Sequence, residues 1–241
     1  MRVEAQPAYV LHARPWRETS VIVELLTRDH GRIGVVARGL NGPKRQVLRA
    51  ALQPLQHIRV DFLPRGELAR LIQAEALDVA PSLSGDASLA AFYVSELLLR
   101  LTPRNDAAPA LFDLYGRVRG ELAQGLALAW NLRRFERDLL DALGVGLPWD
   151  RDAEGEQLAA ALRYRLDPEL GPVPDTRRGG DSLAGASLIA LAEDRMPSNE
   201  SLAELRRGLR PVLAAQLGNT PLRSWGLLDE LARVRSRATR D

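Results

Sequence analysis

Hydrophobic and polar positions in the first 80 residues alternate as they do in β-strands. Short runs rich in Val, Ile and Leu, bounded by turn residues, predict strands over 8–12, 20–26, 32–38, 50–62 and 67–79. Residues 63–66, Leu-Pro-Arg-Gly, separate the last two runs as a hairpin loop would. Five strands with no helical pattern between them predict a small barrel or sandwich.

The hydrophobic period lengthens to that of α-helices after the turn-like segment 81–86, where we expect a domain boundary. Helices are predicted from Ser88 to Pro103, over 108–124, over 127–143, within 182–195 and from Leu202 to Leu217. Pro211 predicts a kink or break in the last helix, and 171–180 is predicted to be a loop. The Arg-rich tail, Arg233 to Arg240, is expected to be disordered.

These elements predict an α+β multidomain protein. Residues 1–80 form a small β-barrel, and residues 81–241 form a mostly α-helical domain with a basic tail. From the strand count alone, the barrel is either an OB-fold, which binds oligonucleotides, or an SH3-like barrel. The sequence contains no internal repeat and no low-complexity block.

Composition excludes several kinds of site. The chain has 241 residues, 46% of them hydrophobic, and its lack of cysteine excludes disulfides and Cys-based zinc or iron–sulfur sites. The three histidines form no ligand-like cluster, and no apolar stretch reaches the roughly 20 residues that span a bilayer. The N-terminus lacks the apolar core of a signal peptide. We therefore expect a cytoplasmic protein with no membrane partner, no metal and no cofactor.

Charge is distributed unevenly along the chain. Residues 1–60 carry ten Lys and Arg against four Asp and Glu, a net charge of +6, whereas the whole chain carries only +2. This asymmetry indicates a basic module that meets a polyanion, although arginines that are merely solvated would give the same count.

Motifs of catalysis are missing from the sequence. No nucleophile motif accompanies the histidines, and no phosphate-binding P-loop is present. Carboxylate pairs such as Glu154 and Glu156 lie in polar loop sequence, which is typical of a solvated surface. We expect a protein that is not an enzyme.

Cations of the predicted barrel lie at strand ends and loop edges, where guanidinium groups can make two-point contacts to phosphate. The candidate DNA-contacting cations are Arg14, Arg17, Arg32, Arg38, Lys44, Arg45 and Arg49. Trp16, between two of them, is either a base-stacking platform or a half-buried residue that closes the barrel end. The few aromatic residues predict binding with weak sequence specificity and strong salt dependence.

Six motifs follow one another between residue 8 and about residue 231: AYVLHARPWRETS, HGRIGVVARG, LRAALQPL, SELLLRL, LRRFERDLLDALG and PLRSWGLLDEL. In sequence and in order they resemble the motifs of the RecO family of bacterial recombination mediators and DNA-repair proteins. The resemblance implies an N-terminal OB-fold and a helical C-terminal domain. Some members carry a four-cysteine zinc site, so this cysteine-free chain resembles the zinc-free branch.

The resemblance also implies an activity and partners. RecO proteins bind single- and double-stranded DNA, anneal complementary strands, and act with RecR to load RecA onto DNA coated by the single-strand-binding protein SSB. A bacterial cytoplasmic location at the nucleoid follows from this role. The helix around residues 131–143 corresponds to one that binds the acidic, phenylalanine-ended SSB tail, so the candidate tail contacts are Arg133, Arg137 and Leu140.

Two other functions stay open on the sequence. In the first, the barrel is a protein-interaction module and the helical domain a scaffold, so single-stranded DNA would be retained poorly at about physiological salt. In the second, the chain is an RNA-binding OB protein, and RNA of equal length would compete with DNA.

Overall fold

A computed structural model of the chain describes residues 1–40, 45–177, 179–218 and 220–227. In chain order the elements are β1 (Val3–Trp16), β2 (Ser20–Thr27), β3 (Gly31–Ala37), α1 (Gln46–Ala51), β4 (His57–Leu63), β5 (Leu68–Ala76), α2 (Gly85–Leu101), α3 (Pro109–Gln124), α4 (Leu128–Ala142), β6 (Arg163–Asp167), β7 (Gly171–Pro174), β8 (Leu183–Ala184), α5 (Gly185–Ala192) and α6 (Asn199–Leu217). They form two compact units, residues 1–124 with the described residues after 221, and residues 125–221.

The first five strands form a closed barrel in the order β1-β2-β3-β5-β4. β4 pairs back onto β1, β3 runs parallel to β5, and α1 connects β3 to β4. This arrangement is an OB-fold rather than an SH3-like barrel. The inward positions of successive strands fill the core: Ala8, Val10, Val23, Leu25, Ile33, Val35, Ile58 and Val60.

One predicted strand, 50–62, is wrong in its first half. Residues up to Ala51 end the helix α1, and the strand β4 begins only at His57. Leu48, Ala51 and Leu52 follow helical spacing and pack into the barrel core. A short apolar run of this kind fits either period, so the sequence alone did not separate helix from strand.

The helices α2 and α3 belong to the same compact unit as the barrel. The ring of Tyr9 in β1 lies 4.7 Å from the ring of Phe112 and 5.2 Å from that of Tyr115, both in α3. Arg119 of α3 donates to the backbone oxygen of Leu55 at 2.6 Å and to the carboxylate of Asp78 at 2.8 Å. These contacts join the barrel to the two helices that follow it.

The chain returns to this unit near its C-terminus. The buried Glu96 carboxylate of α2 accepts hydrogen bonds from the backbone amides of Arg223 and Ser224, at 2.8 and 2.9 Å, and from the Ser224 hydroxyl at 2.6 Å. Residues 223–227 are helical, and a carboxylate at the start of a helix satisfies amides that lack partners within the helix. The Arg-rich tail beyond residue 227 and Arg178 lie outside the described residues.

The second unit packs α4, α5 and α6 with a three-stranded sheet of order β7-β6-β8. The predicted loop 171–180 is therefore wrong over β7, where Leu166 of β6 pairs with Pro172. Pro and Gly make this short edge strand look like a turn. The last helix, α6, continues through Pro211 without a break. Within the described ranges, no helix is long and apolar enough to cross a membrane.

Candidate nucleic-acid interface

The end of the β1–β2 hairpin brings an indole and two guanidinium groups together. Trp16 pairs with Ser20 at the last position of the β1–β2 ladder, and Arg17 enters the turn with φ of +56°. The guanidinium carbon of Arg14 lies 5.5 Å from the Trp16 ring centroid, and that of Arg17 lies 6.0 Å from it. These are cation–π distances. We call Arg14, Trp16 and Arg17 the hairpin-end cluster.

The hairpin-end cluster is open to solvent. Trp16 is 38% exposed, and both arginines are exposed. Within the described part of the chain, neither arginine has a carboxylate within ion-pair distance. The cluster therefore combines an aromatic face with two guanidinium groups that make no ion pair among the described residues, and single-strand-binding OB-folds use this pair of features.

The end of β3 meets the same hairpin. The backbone amide of Leu40 donates to the backbone oxygen of Thr19 at 3.0 Å, which brings the exposed Arg38 to the hairpin side of the barrel. Of the remaining predicted cations, Arg45 precedes α1 and is exposed, and Arg49 within α1 is half-buried. Lys44 lies outside the described residues.

Arg70 is a cation that sequence reasoning missed. The strand registers form one row across the barrel surface, in which Arg14 pairs with Ile22, Ile22 with Val36, and Val36 with Arg70. Three steps between strands separate the two arginines by about 14 Å along the sheet. The sequence contains the pattern that predicts its position. Arg70 lies between the apolar Ala69 and Leu71, and side chains alternate between the two faces of a strand, so Arg70 points outward.

Arg32 has a different environment. Its Nε and Nη2 donate to the backbone oxygen of Thr102 at 3.0 and 2.9 Å, and its Nη1 donates to Glu24 at 3.2 Å. Arg104 pairs with the other oxygen of Glu24. Burial and then the charge of Arg104 lower the pKa of Arg32, against the opposing effect of Glu24. The structure thus places Arg32 in an internal network rather than with the hairpin-end cluster.

The segment after α2 covers part of the face formed by β2 and β3. The amide of Asn105 donates to the backbone oxygen of Arg32 at 2.9 Å. A Cβ added to Gly31 would lie 1.7 Å from the backbone oxygen of Asp106, and one added to Gly34 would lie 2.6 Å from Arg104 Nη1. OB-folds commonly bind oligonucleotides on this face and its rim loops. In this protein, the segment after α2 covers the half of this face around Arg32. The half at the hairpin end stays exposed.

The predicted SSB-tail contacts on α4 are mostly internal. Arg133 is 6% exposed and donates to Glu136 at 2.6 Å, while Leu140 is fully buried. Arg137 donates to Asp138 at 2.7 Å, to Asp194 at 3.1 Å and to the backbone oxygen of Leu191. Burial lowers the pKa of Arg137, but the two carboxylates outweigh it and raise the pKa overall. The three residues share one helix without forming an open surface patch.

Known families match nearly the whole chain. A family model described as recombination protein O N terminal matches residues 1–80, and one described as recombination protein O C terminal matches residues 83–226. The chain belongs to the RecO family. The resemblance predicted from the sequence motifs is confirmed, as is an OB-fold followed by a helical region. The division into domains at residue 80 stays a prediction. The compact unit that contains the barrel extends to residue 124.

Curated RecO proteins are similar over their full length. The DNA repair protein RecO of Xanthomonas campestris pv. campestris is 53% identical over 238 residues, which are 97% of this chain and 99% of that protein. The RecO protein of Xanthomonas oryzae pv. oryzae is 53% identical over 240 residues, 98% of this chain and 100% of its own. The RecO protein of Stenotrophomonas maltophilia is 52% identical over 236 residues, which are 96% of this chain and 99% of that protein.

Proposed function

We propose that this chain is a non-enzymatic DNA-binding and strand-annealing mediator of recombinational repair. It acts with RecR and SSB to help load RecA on single-stranded DNA. Membership of the RecO family of DNA repair proteins and the OB-fold support this function. The observation that carries it is the hairpin-end cluster, an exposed indole with a guanidinium group on each side in the sequence.

The cluster suggests how a single strand is bound. Arg14 and Arg17 neutralise phosphates, and Arg38 extends the positive surface along β3. One base stacks on Trp16, a contact worth about 1 to 3 kcal/mol per base in such proteins. Because a stacked base must leave its own helix, this contact favours single strands. Because the cations screen two phosphate backbones at once, complementary strands can pair without ATP.

The other cations have different parts in the proposal. Arg45 and Arg49 continue the basic surface after β3, and Arg70 is added to it on β5. Lys44, which lies outside the described residues, is proposed as a further phosphate contact from its place in the sequence. Arg32 supports the fold that presents this surface, since its donors are engaged by Thr102 and Glu24.

The SSB tail is proposed to bind on α4 through Arg133, Arg137 and Leu140. Since Arg133 and Leu140 are buried, the tail carboxylate is expected to meet Arg137 first, in competition with Asp194. Titration of a fluorescent SSB-tail peptide measures this step. Arg137→Gln should weaken peptide binding, whereas Arg195→Gln, which removes an exposed arginine of the same unit, should not. Equal binding by the two variants would remove this site.

The salt dependence of DNA binding tests the barrel surface. The log–log slope of affinity against salt for the double variant Arg14→Ala/Arg17→Ala should decrease by about 1.4, because each phosphate contact to a single strand contributes about 0.7. The matched control is Arg2→Ala/Arg59→Ala, which removes two arginines that are paired with Asp61 and Glu75.

Poor retention of the wild-type chain on single-stranded DNA at physiological salt would favour the scaffold. Equal competition by RNA would favour an RNA-binding protein.

Annealing of two complementary oligonucleotides coated with SSB tests the mediator role. We expect the chain to accelerate annealing with intact SSB and to be much less effective with SSB that lacks its tail. Acceleration that ignores the tail would leave the DNA-binding barrel and remove the tail site. No acceleration in either case would contradict the proposed function.

A further inference from the structure

Two arginines of α4 bind one carboxylate of the second compact unit. Nε of Arg134 donates to Oδ1 of Asp194 at 2.8 Å, and Nη2 of Arg137 donates to the same oxygen at 3.1 Å. The two arginines are three positions apart, so they are neighbours on the surface of the helix. We call Arg134 and Arg137 the carboxylate clamp, because both guanidinium groups converge on one acceptor.

Other contacts hold the carboxylate clamp in place. The guanidinium carbon of Arg134 lies 6.0 Å from the ring centroid of the buried Trp130. Arg137 donates through Nη1 to the backbone oxygen of Leu191 and through Nε to Asp138 at 2.7 Å. These contacts are independent of the shared acceptor, so both guanidinium groups stay oriented if that acceptor is exchanged for another.

Asp194 is more accessible than the clamp that binds it. Its side chain is 47% exposed, compared with 20% for Arg134 and 12% for Arg137. A carboxylate at the surface thus lies over two guanidinium groups that are mostly covered. Another carboxylate can approach from solvent and take its place, because the donors already point at an exposed acceptor.

The backbone at Asp194 points to a role of its side chain. Asp194 has φ of +55°, in the left-handed region, and follows the C-terminal end of α5. Its amide donates to the oxygen of Leu191 at 3.3 Å, and the amide of Arg195 donates to that of Ala190 at 2.8 Å, a pattern that closes many helices. Glycine is the usual residue at this position because it has no Cβ. The end of the helix therefore does not require an aspartate, and the contact of its carboxylate with the clamp accounts for it.

The Asp194 carboxyl group carries a charge at neutral pH. Burial raises its pKa, but the hydrogen bonds and charges of Arg134 and Arg137 outweigh burial and hold the pKa below its ordinary value of 3.8. The clamp therefore binds an ionised carboxylate, the same group that ends a peptide chain. A guanidinium group binds either kind of carboxylate with the same charge-assisted geometry.

We propose that Asp194 is an internal competitor for the SSB tail: it occupies the carboxylate clamp in the free protein and yields Arg134 and Arg137 to the terminal carboxylate of the tail. The inference rests on the proposed function, in which the tail binds on α4, and it assigns the regulation of that site. Met196, which is 58% exposed and two residues beyond Asp194, provides an adaptable apolar contact for the phenylalanine that carries this carboxylate.

Such an exchange sets the affinity of the tail site. Both arginines are paired before and after the tail binds, so the tail gains only the difference between its own contacts and those of Asp194. The apparent affinity is the intrinsic affinity multiplied by the fraction of molecules in which the clamp is free of Asp194. Removal of the competing charge should therefore tighten binding, the opposite of what loss of a contact residue does.

Binding of a labelled peptide to the full-length chain tests this competition. The probe is an acidic peptide that ends in phenylalanine with a free carboxylate, and its twin has an amidated C-terminus. The test variant is Asp194→Asn, since asparagine tolerates the left-handed backbone and removes the charge. The matched control is Glu193→Gln, which removes the adjacent charge and leaves Arg195 without the carboxylate of Glu193. Fluorescence anisotropy measures the dissociation constants, and thermal melting checks that the variants are folded.

Competition by Asp194 expects a specific pattern. Asp194→Asn binds the free-carboxylate peptide about three- to fivefold more tightly than the wild type does, as expected when an exposed ion pair no longer competes, whereas Glu193→Gln stays within about 1.5-fold of the wild type. The wild type and Asp194→Asn bind the amidated peptide equally. In the background of Arg137→Gln, Asp194→Asn gives no gain, because the clamp is incomplete.

Other outcomes would overturn the proposal. Equal gains from Asp194→Asn and Glu193→Gln would show that loss of any negative charge favours an acidic peptide. An equal gain with the amidated peptide would show that Asp194 repels the acidic residues of the tail and does not replace its carboxylate. If Asp194→Asn gives no gain while Arg137→Gln weakens binding, the tail site stands and the competition fails. If neither the wild type nor Asp194→Asn binds the peptide, the proposed tail site fails together with the inference.

Discussion

Two regions on the outer surface of the barrel use arginine in opposite ways. At the hairpin end, Arg14 and Arg17 are exposed beside Trp16 and have no carboxylate partner in the described chain. In the region covered by residues 102–106, Arg32 and Arg104 share Glu24, and Arg32 also binds the backbone oxygen of Thr102. In the first region the guanidinium groups are exposed to solvent. In the second they bind Glu24 and the segment that follows α2.

The comparison teaches that residue type and strand position do not determine whether an arginine has internal hydrogen-bond partners. Arg14 and Arg32 both lie on outer strand positions of a basic module. What separates them is the supply of acceptors by segments that are distant in sequence, since Thr102 is 70 residues from Arg32. A guanidinium group that is already satisfied gains little from a phosphate, because it must first give up its internal bonds.

Removal of Glu24 should give the largest effect. Glu24→Ala leaves two guanidinium groups close together with their shared carboxylate gone, and is expected to destabilise the protein by about 2 to 3 kcal/mol. Urea denaturation followed by circular dichroism measures the change. The control is Glu75→Ala, which removes an exposed partner of Arg59 and should change stability little. Equal losses from the two variants would show that the covered region is not a stabilising network.

Replacement of Arg32 should separate stability from binding. Arg32→Ala is expected to cost about 2 kcal/mol of stability, since the Thr102 oxygen and Glu24 lose a donor. The salt slope of single-strand binding should not change. Arg14→Ala should show the reverse pattern, with an unchanged urea midpoint and a slope smaller by about 0.7. A smaller salt slope for folded Arg32→Ala would show that Arg32 contacts phosphate, as the sequence predicts.

The sequence predicted the barrel and most helices because their hydrophobic periods are local and regular. It missed β6, β7 and β8, which have five, four and two residues, because so few positions do not define a period. The hairpin-end cluster was predictable, since Arg14, Trp16 and Arg17 are neighbours in the chain. The network of Arg32 was not, because its acceptor arrives from residue 102 through the tertiary fold.

Replacement of Trp16 tests whether its ring contributes to DNA binding in the exposed hairpin-end cluster. Trp16→Ala should weaken single-strand binding by about 1 to 2 kcal/mol, the lower part of the usual range for a stacked base, because only part of the ring is exposed. Trp16→Phe keeps an aromatic face and should recover most of this loss. Fluorescence anisotropy with labelled oligonucleotides measures both. If Trp16→Ala binds as the wild type does, the indole closes the barrel end and the cluster acts through charge alone.

We expect the smallest effect from a change in pH, which alters stability through His57 at the contact between the barrel and α3. The ring of His57 stacks on Tyr9 with centroids 4.6 Å apart, and its Nε2 is buried without a hydrogen-bond partner among the described residues. Burial lowers the pKa of His57 below its ordinary value, with Asp78 opposing and Arg119 adding to the shift. The unfolded chain therefore binds a proton more readily at this position than the folded chain does.

It follows that His57 contributes stability that is present above the unfolded pKa of about 6.5 and is lost as the pH falls through the folded value. The urea midpoint should decrease between pH values of about 7.5 and 5.5. Asp61 and Glu204 have lowered pKa values too, but their ordinary values are 3.8 and 4.5, so their contributions are lost at lower pH. His57→Phe keeps a ring against Tyr9 and removes the proton site, so its midpoint should vary less over this interval. An equal decrease in the urea midpoint of the variant would show that His57 does not contribute to the pH dependence of stability.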